Sequence, residues 1–140
     1  MNKLYTSLLL LTVSVGCSKD VLRDYEDRII GSWRISDVDR QGLGGSTSNL
    51  PFREGTITFE EGRTLRYESA TGTYEGTWDL VKKWDDEGEK RQTLQITAVD
   101  FAGQSVKGEY YDDLDFRSRN HLVATKHSGR HTYVTHFRRR

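Results

Sequence analysis

The chain has only one cysteine and one proline in 140 residues. A single thiol excludes an intramolecular disulfide and a multi-cysteine zinc site. Charge of one sign is also lacking: 21 Lys and Arg face 21 Asp and Glu. No basic excess is left over for a nucleic-acid backbone. Apolar residues are sparse at 34%, and charged residues reach 30%, so a small core sits under a heavily solvated surface. Long hydrophobic runs are missing too. The uncharged stretch Leu4 to Val15 falls well short of the ~20 residues that span a bilayer as a helix. Aromatic residues, in contrast, are plentiful: 3 Trp, 7 Tyr and 5 Phe, too many for a disordered chain. The 13 glycines suit many tight turns, and the length suits one domain.

The N-terminus reads as an address. Lys3 precedes the apolar stretch centred on Leu8 to Leu11, and Ser14-Val15-Gly16-Cys17 follows. A short apolar region with small residues at its end has the form of a secretory signal. Small residues before a cysteine there resemble the bacterial lipobox, which implies cleavage after Gly16 and acylation of Cys17. Cys17-Ser18-Lys19-Asp20 is similar to the export signal of surface lipoproteins of the Bacteroidota. The expected organisation is a signal peptide over 1–16, a lipidated tether over 17–28 with a short helical turn near Val21–Ile29, and a folded domain over 29–140. The expected partner is a membrane held through the lipid, and the expected location is the outer membrane, on its periplasmic or external side.

Past Arg28 the dominant hydrophobic period is two. Trp33 and Ile35 alternate with polar residues, as do Ile57 with Phe59, Leu65 with Tyr67, Trp78 with Leu80, and Leu94 with Ile96. Glu61-Gly62, Thr71-Gly72, Phe101 to Gln104 and Ser128-Gly129 mark turns, and the Gly- and Ser-rich stretch 41–49 marks a loop. Asp112 to Asn120 is ambiguous between a strand and a break. The spacing predicts eight strands with short, hence antiparallel, connections. A sheet with one apolar face hides that face and its edges by closing on itself. The expectation is an all-β, eight-stranded antiparallel up-and-down barrel.

Gly31-Ser32-Trp33 on the first strand and Phe137-Arg138-Arg139-Arg140 at the end of the last carry a further likeness. So do Thr58 to Leu65 and Gly72 to Trp78. In order and topology the chain resembles the lipocalins, most closely the short lipocalin-like domains of Bacteroidota-type bacterial lipoproteins. The resemblance covers Ile29 to Arg138. It implies that Trp33 closes the barrel floor and that a basic side chain of the last strand packs across it. Arg139 shares a face with Tyr133 and Phe137 and is the preferred partner, with Arg138 second. A guanidinium over an indole is worth ~0.5–2 kcal/mol.

Alternation also nominates an inward set that includes Val106 and Tyr110, with Ala124 and Tyr133 on the later strands. An eight-stranded barrel is either just filled by side chains or holds one small ligand. In the second case the cup lies away from Trp33, lined by Tyr67, Tyr74, Trp78 and Tyr110, and takes a small hydrophobic molecule. In the first, the protein is a plugged-core module that docks another envelope component through its loops. Catalytic signatures are lacking: no Gly-x-Ser-x-Gly, no phosphate loop and no dinucleotide fingerprint. No enzyme activity and no cofactor is expected. His127 and His131 flank a turn and could hold a divalent ion, but no third ligand completes that site, so no metal is expected. The acidic runs 85–89 and 112–115 lack calcium-loop spacing.

Overall fold

The computed structural model describes residues 20–140, with side chains from residue 25 onward. The expected signal peptide and Cys17 lie outside the described residues. Helix α1, Asp20–Ile29, leads into β1 (Gly31–Gly42), β2 (Thr56–Phe59), β3 (Thr64–Ser69), β4 (Gly72–Trp84), β5 (Lys90–Asp100), β6 (Ser105–Tyr111), β7 (Asp113–Ser118), β8 (His121–Ser128) and β9 (His131–Arg139). All nine strands belong to one antiparallel sheet in the order β6-β5-β4-β3-β2-β1-β9-β8-β7. Among the described residues, no helix is long and apolar enough to cross a membrane.

Two features differ from the sequence-based expectation. There are nine strands, because the ambiguous stretch after Asp112 forms β7. The ladder also does not close: β6 pairs with β5 and β7 pairs with β8, leaving both as edges. The physical cause lies at Asp112, between the two edge strands. Its N–H donates to Thr125 O at 2.8 Å, and its carboxylate accepts from the His127 N–H at 2.7 Å. This turns the backbone from β5 towards β8 after Tyr111. Across the gap a side-chain bond links the edge strand β6 to β8, with Lys126 of β8 donating to Glu109 of β6.

One face of the sheet is apolar and buried. Trp33, Phe52, Ile57, Phe59, Leu94, Ile96, Leu122 and Phe137 are essentially without exposure. Ile29 at the end of α1 is fully buried, and Tyr25, within the segment read as a tether, packs against this core. The Trp33 indole N–H donates to Ile29 O at 2.7 Å, so a buried polar atom is satisfied by the helix end it supports. The Arg139 guanidinium lies over the indole, 4.3 Å from its centroid. It also donates to three carbonyls: Ile30 O, Arg28 O and Arg119 O. Gly31 admits it. Gly31 has φ 121°, and a Cβ there would stand 2.7 Å from Arg139 Nη1.

Arg139 therefore joins α1, β1 and β9 through one planar, five-donor group. Arg139→Ala is expected to cost about 2–4 kcal/mol in urea unfolding. Arg139→Lys should recover less than half of that, because an ammonium cannot serve three carbonyls and the ring together. Full recovery by lysine would show that charge alone matters.

Candidate functional site

The end of the apolar face away from Trp33 carries a group of aromatic and charged side chains. Cross-strand pairing places them. Tyr67 pairs with Tyr74, Tyr133 with Lys126, Ala98 with Lys107 and Ile96 with Glu109. Partners directly opposite each other share a face, so Lys107, Glu109, Tyr111 and Lys126 point to the same side as the core. Glu109 Oε1 lies 2.5 Å from Lys126 Nζ, with the carboxylate side chain 4% exposed and the lysine 30% exposed. Lys107 Nζ lies 5.1 Å from the Tyr74 ring centroid. Tyr67 and Tyr74 are in tilted ring contact at 5.7 Å.

A segment from the long β1–β2 connection covers this group. Phe52 is 1% exposed and meets the Tyr67 ring edge-on at 4.9 Å. The connection is held by polar ties at its two ends. The Tyr67 hydroxyl donates to Glu54 O at 2.7 Å, and the Tyr133 hydroxyl donates to Ser46 O at 3.3 Å. The Ile35 N–H donates to Gly55 O at 2.9 Å. Gly55 has φ 93°, and a Cβ there would strike Glu68 O at 2.3 Å, so the segment returns to β2 tightly against β3.

Of the side chains expected to line a ligand cup, Tyr67, Tyr74 and Trp78 are buried on the core face. Trp78 lies at the other end of it. Its ring packs edge-on against Phe59 at 5.7 Å, and its indole N–H donates to Glu60 O at 3.2 Å. Tyr110 is a correction. It lies on the outer face, half-buried, under Lys83 Nζ at 4.7 Å from its ring. Val106 is likewise turned out, 67% exposed. Both fail for one reason: Val106 pairs with Val99 and Tyr110 with Gln95, which point away from the core. Tyr111 takes the inward place. Lys107, Glu109 and Lys126 were missed because charged residues on a strand read as solvent-facing. Phe52 was missed because its flanking sequence reads as loop.

Burial is the main force on the two inner phenols nearest this group. It raises the Tyr67 pKa above 10.0, with a smaller upward push from Glu54. It also drives the Tyr111 pKa up strongly, with Glu109 adding to the effect. Tyr74 is shifted the other way, chiefly by the hydroxyl of Ser105, which donates to the Tyr74 oxygen at 3.4 Å.

A concavity of about 610 Å³ opens between α1 and the turn Glu61–Arg63 and touches the edge of Trp78. Arg63 crosses it and pairs with both Glu26 and Asp79, so its charge is already matched. His127 and His131 are not brought together: the His127 ring bonds Thr132 and His131 packs against Tyr133. Among the described residues, no group of three or more His, Cys, Asp or Glu is arranged to hold a metal ion.

No protein-family model matches the chain, and no solved structure matches it. Among curated proteins, the zinc-regulated protein 8 of Eremothecium gossypii is similar. It is 34% identical over 79 residues, which cover 55% of this chain and 8% of that protein. The chain thus spans under a tenth of the length of the relative it matches.

Two expectations follow for the inner group. Lys126→Met removes the charged donor of the buried Glu109 carboxylate and leaves it the Tyr110 N–H at 3.0 Å, which should cost about 1–3 kcal/mol in chemical denaturation. Glu109→Gln in that background should restore part of the loss. The raised phenols give a pH dependence of defined sign. Their neutral forms are favoured in the fold, so their contribution is fully present below the unfolded tyrosine pKa near 10. It is lost as pH rises through the higher folded values. The urea midpoint should fall above about pH 10, and Tyr67→Phe with Tyr111→Phe should flatten that fall.

Proposed function

We propose that the chain is a lipid-anchored cell-envelope protein with a lipocalin-like barrel, and that the barrel is a non-enzymatic binding module for a small hydrophobic molecule. In this reading β6 and β7 are one long strand broken at Asp112, and its two halves complete the barrel wall. The anchor is Cys17, and the outer membrane is the surface it holds, on the periplasmic or external side.

The observation that carries the binding reading is the Glu109 carboxylate, buried on the core face and paired with a partly exposed Lys126, on the same face as Tyr67, which Phe52 covers. A carboxylate buried in a core contributes less to stability than an apolar residue of the same volume often would. Its place among tyrosines suits an amphipathic guest, with an apolar body where Phe52 sits and a polar end at the pair. Phe52 acts as a lid residue. Its segment is tied by two tyrosine hydroxyls that a guest can release without unfolding the sheet.

One observation favours the second reading, a plugged-core module that docks an envelope component. Phe52 is packed into the core at 1% exposure, while Leu43 and Phe101 on the loops are 76% and 80% exposed.

The Cys17→Ala protein, titrated with an environment-sensitive apolar fluorophore and followed by tryptophan emission, separates the two. Saturable binding at one site is expected. Tyr67→Phe with Tyr133→Phe, which frees the lid, should tighten it by up to about tenfold, and Ala124→Phe should abolish it. No saturable binding in either the parent or the freed-lid variant overturns the binding reading. Metabolic labelling with a tagged fatty acid tests the anchor, and label that survives Cys17→Ala refutes it.

A further inference from the structure

The outer face of β1, β9 and β8 carries three side chains in continuous contact that the inner group does not use. The register of β1 against β9 shifts between Ile35 and Asp37, and Ser36 at the irregularity donates its hydroxyl to His136 O at 3.1 Å. This bulge leaves Ile35 on the core side and Asp37 and Asp39 on the outer side. Asp39 Oδ2 then lies 3.2 Å from His136 Nε2, and His136 Nδ1 lies 3.1 Å from His121 Nε2.

The tautomers follow from the partners. An ionised carboxylate only accepts, so His136 carries its proton on Nε2 and donates to Asp39. Its Nδ1 lone pair is thereby turned towards His121, which donates from Nε2. Two imidazole nitrogens bound to one tetrahedral divalent ion, at about 2.0–2.1 Å each, stand about 3.3 Å apart. The observed separation is within a few tenths of an ångström of that value. A metal-bound histidine that gives its other N–H to a carboxylate is also the usual supporting arrangement, which fixes the ring and raises its basicity.

We propose that His121 and His136 form a two-histidine site for a divalent transition-metal ion, with Asp39 positioning His136 from behind. The ion replaces the hydrogen bond and sits to one side of the line between the two nitrogens, with the rings turned so that both lone pairs meet at it. Two nitrogen–metal bonds form, and the His121 proton moves from Nε2 to Nδ1 through water. No electron is transferred, and water fills the remaining coordination positions. Nearby charges work in both directions. Asp39 and Asp115 favour a cation, while Arg117 and Arg138 near His121 oppose it and keep the site weaker than a three-ligand one.

Zn²⁺, which is redox-silent, is the probe. The full chain is titrated with it by calorimetry, while the histidine ring signals are followed by NMR. One ion per chain should bind and shift the His121 and His136 rings. His121→Gln and His136→Gln should each weaken binding at least about tenfold, and Asp39→Asn by about tenfold. His127→Gln and His131→Gln should leave it unchanged. Thermal midpoints of the metal-free variants separate lost binding from lost fold, and the ring shifts of the unmodified chain locate the ion without any variant. The proposal is overturned by undiminished binding in both ligand variants, by ring shifts at His127 and His131 instead, or by no heat and no shift at millimolar Zn²⁺.

Discussion

A buried indole needs a hydrogen-bond acceptor, and the way Trp33 finds one organises this molecule. Its N–H reaches Ile29 O, which fixes the end of α1 over the start of β1. The face of the ring is taken by Arg139, which brings the last strand beside the first. The same guanidinium satisfies carbonyls at Arg28, Ile30 and Arg119. A helix end normally leaves carbonyls without partners, and here the chain's penultimate residue supplies the donors. Gly31 is needed because any side chain would occupy the space of the guanidinium. The three residues Gly31, Trp33 and Arg139 are thus one device, assembled from the two ends of the sheet-forming chain.

The other end of the core face carries a second polar group. There Glu109 of the edge strand β6 is tied to Lys126 of β8, in the part of β8 that runs beyond its pairing with β7. The edges are protected from pairing with other chains partly by this pair and partly by the turn at Asp112. The geometry explains why the inner group can be charged: it lies where backbone pairing stops, so polar side chains do the bridging. Phe52 then restores apolar cover over the tyrosines, held from loop carbonyls by Tyr67 and Tyr133.

The outer face follows a separate logic. A single irregularity in β1 at Ser36 changes which residues face out, and so brings Asp39 within reach of His136. His121 and His136 are fifteen residues apart, on neighbouring strands joined by a short turn. The sequence draws attention instead to His127 and His131, which are closer along the chain. Those two point to opposite faces, because His127 pairs with Thr132 and His131 with Ser128, and successive residues of a strand alternate sides.

Period-two alternation by itself determined the β architecture, the strand positions and most of the core, from Trp33 through Ile57, Phe59, Leu65 and Ile96 to Phe137. In these strands most of the apolar residues fall on one parity, which leaves little choice of face. It also paired Trp33 with Arg139, since parity along the last strand puts Arg139 with Tyr133 and Phe137. In β6 the parity is divided, with Val106 and Tyr110 on one side and Tyr111 on the other, and only registration against Leu94, Ile96 and Ala98 decided which side is inner. The burial of Phe52 and the open ladder at Asp112 were likewise settled by tertiary structure. Each depends on contacts between segments distant in sequence, and a local hydrophobic pattern holds no information about them.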